Sequence, residues 1–203
     1  MGVVYRQSEL NKMPKGAGFD NSYWQYFLVL ERDFEKSLQY VHLDKDNLRT
    51  YSLEFAKQLI IISTEFETIA QLLCNNIDDS KVGNIAQYKQ IILKEYPNIW
   101  STPVYIDSYN QMEIYPLKSW KDKGGKLSWW DAYNNVKHQR HKLFIEANLK
   151  NVLYALGSLI IIESYLYKTV YGEKHGIRYG TSLLRIPGLA ESIYYPKGKL
   201  PDF

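Results

Sequence analysis

The sequence predicts an all-α fold, an up-and-down bundle of four to five helices with a small β-hairpin or loop insertion around residues 103–116. Three observations carry this reading. Leu48, Tyr51, Phe55, Leu59, Ile62, Phe66, Ile69 and Leu73 recur at spacings of three or four, the signature of one face of a 3.6-residue helix. Leu149, Leu153, Leu156, Ile160, Tyr167 and Val170 keep helical spacing in a second long stretch, closed by Gly172 in the position where helices end on glycine. Between these stretches the period changes: Val104-Tyr105-Ile106 and Met112-Glu113-Ile114-Tyr115 flank Asp107-Ser108-Tyr109-Asn110, a pattern that suits a hairpin or a plain loop.

The elements follow in order. Residues 1–20 hold Pro14 and nearby glycines and read as an irregular leader. Asn21 or Ser22 is placed to cap a first helix running to about His42 on Tyr26, Leu30, Phe34, Leu38 and Val41. Asp46 or Asn47 is placed to cap the second, and the run Ile60-Ile61-Ile62 makes that helix apolar nearly all round, so it should lie at the centre. A turn at 78–83 precedes a shorter helix from Asn84 to Tyr96, stopped by Pro97. Residues 122–126 contain Gly124-Gly125 and read as a flexible turn. Ser128 with Asp131 three residues on resembles a capping box, opening a helix with Trp129, Trp130, Tyr133 and Val136 that ends near Arg140 or His141. The last helix runs from about Ile145 to Tyr171. The expected organisation is one domain over 1–203, with a bundle core at 22–171 and an extended tail at 176–203 lying over it.

Composition narrows the function classes. The chain has 203 residues, 45% hydrophobic and 23% charged, enough to bury a core without metals or disulfides. A single cysteine, Cys74, rules out an internal disulfide and fits a reducing compartment, so a cytoplasmic location is expected. Cys74 sits beside Leu72 and Leu73 and reads as a small buried hydrophobe. The net charge of +3 is too mild to imply nucleic acid alone. The most apolar run, Leu153–Ile162, is about half of what a membrane span requires and reads as a core helix, so no membrane partner is expected. The 18 tyrosines and 5 tryptophans suit helix seams, an interface or base stacking.

Four histidines, His42, His138, His141 and His175, form no H-E-x-x-H and have no cysteine pair beside them, so no metal and no cofactor are expected. Gly124-Gly125-Lys126 and Gly16-Ala17-Gly18 lack the context of a phosphate-binding loop. The densest segment is Trp129 to Lys142. Asn134, Lys137 and His138 lie at i, i+3 and i+4 and share a helix face; Arg140, His141 and Lys142 follow. This set offers an amide, an imidazole and fixed cations. Phosphodiester chemistry uses such groups to move a proton and to hold the phosphate, and Trp129, Trp130 and Tyr133 could stack bases. A structural role is open to the same residues: cations suit the last turn of a helix, and Asn134 and His138 can bond backbone. Glu65 and Glu67 interrupt the apolar second helix about 100° to either side of Phe66. At least one should be drawn to the core edge to seek a cation, with Lys137, His138 and Arg140 as the candidates.

Two long helices, a helix bearing Asn134-Asn135-Val136-Lys137-His138 and a long apolar closing helix together resemble the HEPN superfamily. The segment Y-N-N-V-K-H-Q-R is also similar to a tryptophan-rich Y-N-x-V-K-H-x-R stretch of a bacterial protein family. In the HEPN motif an arginine, often followed by a polar residue, precedes a histidine by four to six positions at a helix end. His138 matches the histidine and Asn134 the polar residue; Tyr133 stands where the arginine is expected, and Arg140 follows the histidine. The resemblance implies a helical homodimer that contacts RNA, with metal-independent endoribonuclease chemistry of a toxin–antitoxin or phage-defence type. His138, Asn134 and Arg140 would then be the catalytic residues. Lys137, His141, Lys142, Trp129 and Trp130 would contact RNA, with Glu65 and Glu67 in support. The alternative is a non-catalytic helical interaction or dimerisation protein that docks a protein partner through its tyrosine-rich surface.

Overall fold

Ser52, rather than Asp46 or Asn47, starts the longest helix. Its hydroxyl accepts a hydrogen bond from the Phe55 N–H at 3.0 Å, satisfying one of the free amides of the first turn. In the computed structural model, described for residues 21–78, 82–106, 112–172, 180–187 and 200–202, the helices are α1 (Asn21–Leu38), α2 (Leu53–Ile77), α3 (Ile85–Glu95), α4 (Ser128–Leu143) and α5 (Leu149–Tyr171). The expected leader, the hairpin turn and much of the tail lie outside these residues. Asp44 caps a short 3-10 turn, Lys45–Asn47, which explains the displaced start of α2: Asp46 and Asn47 are consumed in that turn. Asn84, read as the first residue of this helix, instead caps α3, its side chain accepting from Ala86 and Gln87 N–H at 3.1 Å. Asn148 caps α5. Ser128 makes no cap bond, because Leu127 occupies the capping position. Gly172 closes α5 with φ +79, a conformation that only glycine adopts freely.

The bundle is all-α, with one small antiparallel sheet. Strands β1 (Val104–Ile106) and β2 (Met112–Ile114) pair Val104 with Ile114 and Ile106 with Met112. The tail returns to this hairpin, where Tyr105 and Arg185 exchange both backbone hydrogen bonds, at 2.8 and 2.9 Å. The hairpin can lie against α5 because Gly157 leaves room. A Cβ there would meet Ile114 Cδ1 and Pro116 Cγ at 3.3 Å.

Helices α2 and α5 form the centre and run parallel. Their first turns are tied together by an antiparallel bridge, Tyr51 to Asn148, with Ser52 N–H donating to Ala147 O and Leu149 N–H to Thr50 O. Phe55, Leu59, Ile62, Phe66, Ile69 and Leu73 are buried along α2, matching the stripe read from the sequence. Leu48 and Tyr51 precede the helix and are not part of its buried face. In α5 the run Leu149 to Leu166 is buried except for Lys150, Asn151 and Tyr154. By length and composition α5 could cross a membrane, but most of its apolar stretch is buried inside the bundle. Helix α1 buries Trp24, Phe27, Leu30, Phe34 and Leu38, with the Trp24 and Phe27 rings stacked at 5.0 Å. Tyr26, expected on that face, points outward at 41% exposure, one helical step away from Phe27.

Two elements are held more tightly than expected. The Asp122–Lys126 loop is pinned by Lys89, whose ammonium donates to Asp122 O at 2.6 Å and Gly125 O at 3.0 Å. The tail segment 182–184 is clamped to α1 by Glu31, which accepts from the Ser182, Leu183 and Leu184 N–H groups at 2.9, 3.2 and 2.8 Å and from the Ser182 hydroxyl at 3.1 Å. Cys74 is buried among apolar neighbours, and burial pushes its thiol up to about 12, so it stays protonated and inert at neutral pH.

Candidate functional site

Helix α4 presents two faces of different chemistry. Its inner face carries Trp129, Trp130, Ala132, Tyr133 and Val136, all buried. The Trp129 ring meets Phe66 edge-on at 4.9 Å and Trp130 at 5.7 Å. Trp129 is 0%, Trp130 8% and Tyr133 3% exposed, so the expectation that they stack bases is corrected. The apolar spacing that built the helix also turned these rings into the core, and no ring face is left for a ligand.

The outer face and the helix end are polar. Asn134 donates to the Trp130 carbonyl, one turn back, at 3.0 Å, so its amide serves the helix. Asn135 donates to Glu146 at 2.9 Å, tying the end of α4 to the turn before α5. Lys137 donates to the Tyr133 hydroxyl at 3.0 Å and lies over the same ring, 5.2 Å from its centroid. That bond first, and more weakly the nearby Glu67 carboxylate, hold the ammonium above its usual range. Tyr133 is thus a buried anchor for Lys137.

At Gln139 the backbone leaves helical geometry (φ −134, ψ 30). One more turn follows, and the polypeptide passes through a 3-10 turn, Phe144–Glu146, into α5. The kink breaks the helical register between His138 and Arg140. Lys137, His138, Gln139, Arg140, His141 and Lys142 are all exposed, so the sequence-selected imidazoles and cations do share one solvent-facing protrusion.

The expected pairing of Glu65 or Glu67 with this segment is met only in part. Glu67 lies within charge range of Lys137. Glu65 faces Tyr26 and Glu163, and no cation forms an ion pair with it among the described residues. The physical reason is register. Glu65 and Glu163 lie fourteen and fifteen residues beyond the bridged pair Tyr51 and Asn148, so on parallel helices both stand about 20 Å from the bridge. Glu163 is completely buried, and neither of its carboxylate oxygens, nor Oε1 of Glu65, has a hydrogen-bond partner among the described residues. Desolvation raises the Glu65 carboxyl to about 7. The same cause, followed by the charge of Glu65, raises Glu163 well above the usual range. Both acids are therefore favoured in their neutral forms near and below neutrality.

Glu163 and Glu31 were not singled out by sequence, and Tyr51 was read only as part of the apolar stripe of the second helix, whereas it is 49% exposed. Glu163 lies in an apolar run where a charged residue within the core was itself a signal. Glu31 and Tyr51 gave no local signal, since their partners lie far along the chain. No group of three or more His, Cys, Asp or Glu side chains suited to a metal occurs among the described residues. No family model, no curated protein and no solved structure matches the chain.

Proposed function

We propose that this chain contacts RNA through the kinked basic end of α4, with His138 as the group that moves a proton in metal-independent cleavage of the phosphodiester. The observation that carries the reading is the joint exposure of Lys137, His138, Arg140, His141 and Lys142 within one six-residue segment. Fixed positive charge on a protrusion attracts a phosphate backbone, and an imidazole is the side chain whose ordinary titration falls nearest to neutral pH. Arg140 and Lys142 hold the phosphate from beyond the kink. The neutral His138 imidazole takes the proton of the ribose 2′-OH as its oxygen bonds to phosphorus. The bond from phosphorus to the 5′ oxygen then breaks, and that oxygen leaves with a proton from an imidazolium or from water. The products are a 2′,3′-cyclic phosphate and a 5′-hydroxyl. A homodimer would bring two such segments to one substrate.

A second reading, a non-catalytic helical interaction protein, is favoured by the exposure of two aliphatic side chains next to this segment, Leu53 at 73% and Ile145 at 56%. The test is incubation of a mixed RNA pool in EDTA with the native chain and with His138→Ala, alongside thermal melts. Cleavage by the native chain, reduced about a hundredfold or more in a variant of unchanged melting temperature, is the expected outcome. RNA binding without cleavage by either would retain the contact and remove the nuclease. Neither binding nor cleavage would leave the interaction reading.

A further inference from the structure

The residues 48–52 that lead into α2, a turn at Leu48 and Arg49 followed by a short stretch through the Tyr51 bridge, are tied to the start of α5, so they lie beside the turn that follows the basic end of α4. Lys150 N–H donates to Leu48 O and Leu149 N–H to Thr50 O. These bonds turn Thr50 and Ser52 inward and leave Arg49, Tyr51 and Leu53 exposed in alternation. The Tyr51 ring stands against Phe144, edge to face, with centroids 5.4 Å apart, and Phe144 is two residues from Lys142. Tyr51 nevertheless stays 49% exposed, and Ile145, the residue after Phe144, is also open. The result is a half-open aromatic ring, fixed on one side by Phe144, with exposed Leu53 and Ile145 on the same two segments, the exposed cations Arg49 and Lys142 flanking it, and Lys150 at the start of α5, its ammonium over the Tyr154 ring at 5.7 Å. Two acids of those segments are already engaged: Glu54 with Lys57 at 2.7 Å and Glu146 with Asn135.

We propose that Tyr51 is the base-stacking platform of this surface, taking one base of single-stranded RNA while Arg49, Lys142 and Lys150 hold the neighbouring phosphates. The inference rests on the reading of the chain as an RNA-contacting protein. It supplies the aromatic partner that the buried tryptophans cannot. A nucleotide fits what the strip displays, because its base offers a flat apolar face to an aromatic ring and its phosphate offers charge to the flanking cations. Leu53 and Ile145 wall the base. A second copy of this chain would set the same cations against one another.

Fluorescence anisotropy of a labelled twelve-nucleotide single strand tests this. The strand carries 2′-O-methyl groups throughout, so no 2′-OH can attack and binding is read apart from cleavage. Tyr51→Leu keeps apolar volume against Phe144 and removes the aromatic face; it should weaken binding about five- to a hundredfold, the range for loss of one base stack. Tyr51→Trp should bind at least as tightly as the native chain. Lys142→Ala should instead flatten the dependence of log affinity on log salt by about 0.7 for one lost phosphate contact. If Tyr51→Leu binds like the native chain while Lys142→Ala binds more weakly, the platform is overturned and the RNA reading stands. If the native chain binds no strand at low salt, the RNA reading itself fails and the platform with it. If Leu53→Asp and Ile145→Asp dissociate a self-associated species in sedimentation and leave RNA affinity unchanged, the strip is a protein contact and the proposal is wrong.

Discussion

Glu31 and Glu163 are the same functional group, buried to the same degree, with opposite environments. Glu31 accepts four hydrogen bonds from the tail, three of them from backbone N–H groups. Burial pushes its carboxyl up, while those bonds pull the other way. Glu163 has no such partners among the described residues. Truncating the first should therefore cost more than its own contacts, because three amides of residues 182–184 lose their acceptor. Glu31→Ala is expected to lower unfolding free energy by about 2–4 kcal/mol in urea titration, with the tail released from α1 and readily cut by protease. A change under about 0.5 kcal/mol, the range of an ordinary surface substitution, would show that the clamp carries no stability. The sequence could not announce this contact, since Glu31 and Ser182 lie 151 residues apart and a glutamate in an amphipathic helix reads as a solvated position. The two glycines of the 122–126 loop make a similar contrast. A Cβ on Gly125 would fall 1.6 Å from the Ser119 carbonyl oxygen, while one on Gly124 meets nothing within 4 Å. Gly125→Ala is expected to destabilise by about 1–3 kcal/mol and Gly124→Ala to leave the melting temperature nearly unchanged. Equal melting of both would mean that the loop has room to move despite the Lys89 clamp.

At the scale of elements, helix interiors were legible, and starts only in part: α3 and α4 begin within a residue of where expected, α2 and α5 do not. The stripe from Phe55 to Leu73 is a sum over six buried positions, so one misplaced residue does not disturb it. A start depends on a single hydrogen bond. Asp44, Asp46, Asn47 and Ser52 are all competent caps, and the choice fell to Asp44 for the 3-10 turn and Ser52 for α2 because residues 48–52 are drawn into the bridge with Asn148. That long-range pairing leaves no mark on the local sequence. The same reasoning separates two serines that look alike in sequence. Ser52→Ala should cost about 1 kcal/mol, whereas Ser128→Ala should stay within about 0.5 kcal/mol, because Ser128 makes no cap bond. The reverse order in thermal melts would contradict the observed starts. The candidate site divides along the same line. The basic end of α4 was legible because the six residues from Lys137 to Lys142 are contiguous. The role expected of Trp129 and Trp130 was not, because period alone shows which residues share a helix face and not whether that face meets solvent. The exposed aromatic ring came instead from Tyr51, brought beside Phe144 by the pairing of two distant segments.

For the whole molecule, the parallel alignment of α2 and α5 places two carboxyl groups level with each other, Glu163 in the core and the half-buried Glu65 beside it, and this sets how stability should depend on pH. The Glu65 carboxyl is raised from 4.5 to about 7, and Glu163 shifts in the same direction. An acid raised in the folded state keeps its proton at pH values where the unfolded chain has released it. Between about pH 4.5 and 7 the native state therefore binds more protons than the unfolded state, and stability falls as pH rises. The contribution is fully present below about 4.5, where both states are protonated, and is lost progressively as pH rises through about 7. Above that, folding must either bury charge or hold protons against the solvent. Melting temperature is expected to be higher at pH 5 than at pH 8. Glu163→Gln, which keeps the shape and removes the titration, should raise melting at pH 8, leave it little changed at pH 5, and flatten the slope between them. Glu65→Gln should act in the same direction and to a smaller extent, since that side chain is only partly buried. A native melting temperature that climbs from pH 5 to pH 8, with Glu163→Gln lowering it at pH 8, would mean that Glu163 is ionised and satisfied by a buried cation, and the neutral pair would have to be abandoned.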